Sequence, residues 1–118
     1  MRRRTKTLVD MNLRQGLNES HTKLFVLLQK VNEQTRNSLL DGIGKGAILA
    51  LTEVALNVIL GTIPADKRQL VKLRQHRDKL HELTKHSTSL RRREGLLREK
   101  EVAKVILDPF ARHIARYP

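Results

Sequence analysis

Apolar residues run almost unbroken from Ala47 to Leu60, interrupted only by Thr52, Glu53 and Asn57. A segment apolar all round at helical spacing is buried on every side, at the centre of a bundle or in a bilayer. Its fourteen residues fall short of the roughly 17–25 that cross a membrane. The pattern predicts a central helix over about 46–60 and no transmembrane segment. Gly61 stands where a helix ends in the left-handed conformation. Pro64 stands where a first-turn proline is tolerated, because its missing N–H would be unpaired there anyway. Residues 61–64 therefore read as a stop and restart between two helices.

The flanking segments are amphipathic. Leu24, Leu27, Leu28 and Val31 form an i, i+3, i+4, i+7 stripe, with Asn18 or Ser20 as a cap. Asn32 breaks or re-caps that helix, and a short one from about Glu33 to Asp41 buries Leu39 and Leu40. Gly42, Gly44 and Gly46 then make a hinge into the central helix. They lack the spacing and the Lys-Ser/Thr ending of a phosphate loop, and no strand precedes them. A long helix is predicted from Asp66 to about Lys85. Leu70, Leu73, Leu80 and Leu83 face the bundle, and Lys67, Arg68, Lys72, Arg74, Lys79 and Lys85 occupy most of the other arc. Arg77 sits at the stripe's edge and snorkels outward. After a turn at Ser87-Thr88-Ser89, which holds N-cap candidates, a last helix runs from Leu90 to about Leu107. Gly95 weakens it and favours a kink, and Pro109 ends it. Phe110, Ile114 and Tyr117 either fold back onto the bundle or form an adhesive tail.

The expected fold is all-α: a small bundle of four to five helices around the central apolar helix. The expected organisation is a flexible basic arm at 1–18, a helical bundle domain at 19–108 and a C-terminal tail at 109–118. A chain of 118 residues suffices for one modest core. Without cysteine, disulfides, thiol catalysis and most structural zinc drop out. Met1-Arg2-Arg3-Arg4 is followed by polar residues, so no signal peptide is expected. The expected location is intracellular, nuclear or virion-associated.

Charge changes the picture most. The net charge is +12, and it is segregated. Residues 1–14 carry five Lys/Arg against one acid, and residues 15–66 carry four against five. Residues 67–104 carry thirteen against five. The core-forming half is near neutral, and the cations gather in one arm and in the helices after Pro64. Such segregation favours a polyanion or an anionic surface as partner. Phe25, Phe110 and Tyr117 are the chain's three aromatics, fewer than base-stacking modules usually use.

Catalytic chemistry finds no foothold. His76, His81 and His86 recur every fifth residue, about 140° apart on a helix, so no two share a face. His81-Glu82-Leu83-Thr84-Lys85-His86 misses the zinc-protease H-E-x-x-H by one residue. No paired-carboxylate spacing suggests a metal nuclease. Glu53, within the central helix, reads as pointing out through a gap or pairing with a nearby base. No enzyme activity and no cofactor are expected.

Residues 39–100 resemble short basic open reading frames of Polinton/Maverick-type elements and adintovirus-like genomes. The matching residues are Leu39-Leu40, Glu53, Ala55, Asn57-Val58-Ile59-Leu60-Gly61-Thr62-Ile63-Pro64, Lys67-Arg68-Gln69-Leu70, His76, Leu80, Leu83 and Ser89-Leu90-Arg91-Arg92-Arg93-Glu94-Gly95-Leu96-Leu97. The chain departs after Leu97, where that family runs into a Gly-Gly-Phe-Leu apolar tail. The resemblance implies a viral or mobile-element origin and a role around the genome or particle.

The leading expectation is a nucleic-acid-binding protein, largely sequence-independent, that condenses or coats DNA, with RNA possible. The residues expected to grip phosphates are Lys67, Arg68, Gln69, Lys72, Arg74, Lys79 and Lys85, then Arg91, Arg92, Arg93 and Arg98. Arg2, Arg3 and Arg4 would reach a second stretch of backbone. A sharper version makes the central helix, the Gly61 turn and the next helix a helix-turn-helix, with Arg68, Gln69 and Lys72 facing base edges. The alternative is a helical scaffold or minor structural protein that binds an acidic protein partner, with a homo-oligomer as one form of it. Peripheral membrane binding through the basic amphipathic helix is a third reading.

Overall fold

A computed structural model describes residues 19–116, which form seven helices and no strand. They are α1 (Glu19–Lys30), α2 (Glu33–Leu40), α3 (Lys45–Leu60), α4 (Lys67–Gln75), α5 (Arg77–Thr84), α6 (Leu90–Arg98) and α7 (Val102–Arg116). The arm expected over 1–18 lies outside the described residues. The fold is all-α with α3 as its axis, packed by α1, α5, α6 and α7.

The apolar pattern of α3 predicts burial on every side, but only part of its circumference is covered. Ile48, Leu51, Val54, Ala55 and Val58 share one buried stripe turned to the core. On the opposite side Leu49 is 42% and Leu60 57% exposed, with Ile59 46% exposed near the helix end. Its two buried polar residues bond their own helix: Thr52 Oγ1 donates to the Ile48 carbonyl at 2.9 Å and Asn57 Nδ2 to that of Glu53 at 2.7 Å. Gly61 closes α3 at φ 82°, a left-handed conformation that a Cβ would strain. The Ile63 N–H then donates to the Asn57 carbonyl, and the Ile63 side chain is fully buried. Gly46, expected in the preceding hinge, instead lies in the first turn of α3.

The bundle has more helices than the four to five expected because two of them are divided. The stretch 66–85 bends at His76 (φ −109°, ψ 20°) into α4 and α5. The bend serves packing, since α4 lies on α7 whereas α5 lies on α3. One straight helix could not follow both. Leu80 and Leu83 accordingly reach the core, while Leu70 remains 42% exposed. The second division falls at residues 99–101 rather than at Gly95. Glu101 there adopts φ 66°, the only positive φ at a non-glycine among the described residues. The turn lets Leu96 and Leu97 of α6 enter the same core as Val102 and Ile106 of α7.

Pro109 does not end the last helix, which continues to Arg116. An interior proline forfeits one backbone bond. Here tertiary contacts outweigh that loss: Phe110 is fully buried, with its ring edge-on to Phe25 at 6.0 Å. Asp108 is anchored as well, accepting from Gln29 Nε2 at 3.0 Å and Lys104 Nζ at 3.2 Å. Phe110 and Ile114 thus belong to the bundle; Tyr117 lies outside the described residues. In α1 the buried face centres on Phe25 and Leu28, and Leu27, expected inside, is 48% exposed.

Candidate nucleic-acid interface

The α4–α5 segment faces the α6–α7 segment in antiparallel order, and charged pairs join them along the seam. Arg92 donates to both Glu82 oxygens, Nε at 2.6 Å and Nη2 at 2.9 Å. Lys79 meets Glu99 at 2.7 Å, and Lys72 meets Glu101 at 3.5 Å, with His76 at 3.9 Å from the same carboxylate. At the far end Arg112 reaches Asp66 at 3.6 Å. Hydrogen bonds from Arg92 hold the Glu82 carboxyl below its ordinary value and raise the guanidinium in turn.

The basic residues singled out from the sequence therefore divide by task. Lys72, Lys79 and Arg92 are engaged in the seam. Arg98 ties α6 to the chain before α3, 3.3 Å from Asp41, and also lies 3.5 Å from Glu94. Arg93 closes the α5–α6 turn, donating from Nε to the Thr88 carbonyl and from Nη2 to that of Lys85. Gln69 is part of a capping box: its Oε1 accepts from the Asp66 N–H at 2.9 Å, and its own N–H donates to Asp66 at 2.8 Å. Lys67, Arg68, Arg74, Lys85 and Arg91 are exposed, with no carboxylate within ion-pair distance among the described residues. Arg77 and Lys100 share that condition. Lys100 is not legible from the sequence, where it lies between Glu99 and Glu101. Only the fold sends those two acids to the seam and Lys100 outward. Arg2, Arg3 and Arg4 lie outside the described residues.

The helix-turn-helix version does not survive the geometry. α4 packs chiefly on α7 and α5 rather than on α3, whereas the two helices of that motif pack on each other. Of its three proposed base-reading side chains, Gln69 is bound in the cap and Lys72 in the seam. Base stacking has no platform among the described residues, because Phe25 and Phe110 are both core.

Among the described residues no group of three His, Cys, Asp or Glu side chains converges to hold a metal ion. No helix there is long and apolar enough to cross a membrane. Comparison of the chain with family models, curated proteins and solved structures gives no match.

Proposed function

We propose that this protein binds nucleic acid through the phosphate backbone, with little dependence on sequence. One observation carries the reading. Of the five acids in residues 67–104, four (Glu82, Glu94, Glu99 and Glu101) are already ion-paired to bases of the chain. Lys67, Arg68, Arg74, Arg77, Lys85, Arg91 and Lys100 remain without a carboxylate partner among the described residues. Cations in that state release counterions from a polyanion, which supplies affinity without base readout. Exposed guanidinium and ammonium groups serve DNA and RNA alike, and DNA is the ligand proposed first. The resemblance of residues 39–100 to Polinton- and adintovirus-type proteins supports genome condensation or coating as the setting, with a nuclear or virion location.

A titration against fluorescently labelled duplexes of two unrelated sequences tests this. The expected outcome is equal affinity for both and a steep fall between low and moderate salt. No binding at low salt refutes the proposal, and a strong preference for one duplex refutes its sequence independence.

A further inference from the structure

The outward face of α4 carries an apolar centre that a phosphate grip does not need. Lys67, Leu70, Val71 and Arg74 stand at i, i+3, i+4 and i+7, so they share one stripe. Gln69, Leu73 and His76 lie on the opposite side and are partly buried. Leu70 is 42% exposed and Val71 50%, two adjacent apolar side chains between two cations free of ion pairs. Phosphate oxygens gain nothing from an apolar centre. A protein helix does, when it lays its own apolar stripe across the ridge.

We propose that this face docks an amphipathic helix of a partner protein whose apolar stripe is bordered by Asp and Glu. Charge complementarity selects that occupant. α4 contains no acid, and Arg68 adds a further exposed cation on the same helix. A second copy of this chain would set like charges against each other on that face. An anionic lipid surface suits it less well, since interfacial helices carry aromatic and leucine anchors over a longer apolar face. α4 has nine residues and no aromatic. Its length, about 13 Å at 1.5 Å per residue, spans two turns, enough for partner residues at i and i+3 or i+4.

This surface shares the flanking cations Lys67, Arg68 and Arg74 with the nucleic-acid reading. Its centre is the pair Leu70 and Val71, which that reading does not use, so a variant of the pair separates the two. The probe is a synthetic helical peptide with leucines at i, i+3 and i+7 and glutamates on both flanks. A scrambled peptide of the same composition is the control. Binding to the labelled full chain at low salt is compared with that of the double variant Leu70→Ser, Val71→Ser. Both positions lie outside the core, so the variant's thermal melt is expected to match wild type. The expected result is binding of the patterned peptide, weaker by about tenfold, or about 1.4 kcal/mol, in the double variant. Duplex binding by the variant is expected to stay within about twofold, well under that 1.4 kcal/mol. Four results would overturn the proposal. One is equal binding of both peptides, and another is unchanged peptide affinity in the variant. A third is a matching loss of duplex binding, which would assign the apolar pair to nucleic acid. The last is capture by phosphatidylserine vesicles, but not by the peptide, that depends on Leu70 and Val71.

Discussion

Arg36 shows how far a side chain's role can depart from its charge. It is 5% exposed, with Nε donating to the Leu28 carbonyl at 2.8 Å and Nη2 to that of Val31 at 2.6 Å. It therefore satisfies carbonyls at the end of α1 from within α2 and fixes the corner between them. Arg36→Met is expected to cost roughly 2–3 kcal/mol, the range for charged hydrogen bonds with buried partners left unmet. Arg36→Lys should recover only part of it, because one ammonium lacks the fork; chemical denaturation measures both. Two glycines should respond with opposite signs. Gly95 lies inside α6 with open space where a Cβ would go, so Gly95→Ala is expected to stabilise by about 0.5–1 kcal/mol. Gly61 also has open space, but its φ is +82°, so Gly61→Ala should destabilise by about 1–2 kcal/mol. Thermal melts showing the same sign for both would contradict the assignment. Gly61 is legible in the sequence as a helix end. Arg36 is not, because nothing local distinguishes an arginine turned back onto carbonyls from one facing water.

At the scale of elements, what can be read ahead is what neighbours in sequence decide. The central helix, the Asn32 cap of α2 and the Ser89 cap of α6 are of this kind, with each cap oxygen accepting an N–H three residues on. The bend at His76, the turn at Glu101 and the passage through Pro109 are tertiary decisions. Each trades backbone regularity for burial of residues such as Leu80, Val102 and Phe110. Leu27 falls in the sequence stripe of α1 because that stripe omits Phe25, whose larger ring sets the buried face. The Glu82–Arg92 pair joins α5 to α6, and its pH dependence has a definite sign. The carboxyl's value is lowered in the fold. The pair therefore contributes fully above the ordinary carboxylate range, and that contribution is lost as pH falls through the lowered value. Glu82→Gln is expected to melt lower than wild type at neutral pH, with the gap closing in acid. A gap that persists or widens in acid would show that the pair does not act this way.

For the whole molecule, the central matter is how one chain reconciles a dense set of cations with a packed bundle. The acids of α5 to α7 neutralise the seam, and the remaining cations stay outside it. Sequence alone exposes the surplus but not the division, because the seam joins residues far apart in the chain, such as Asp66 and Arg112. The most direct test compares salt dependence of duplex binding in two variants with wild type. Removing Arg68, Arg74, Lys85 and Arg91 together, each to Ala, is expected to flatten the log-affinity against log-salt slope by about 3–4, near 0.9 for each phosphate no longer neutralised. Removing the seam pair without changing net charge, by Glu82→Gln with Arg92→Gln, should leave the slope unchanged. An unchanged slope in the first variant, or an equal flattening in the second, would contradict the account.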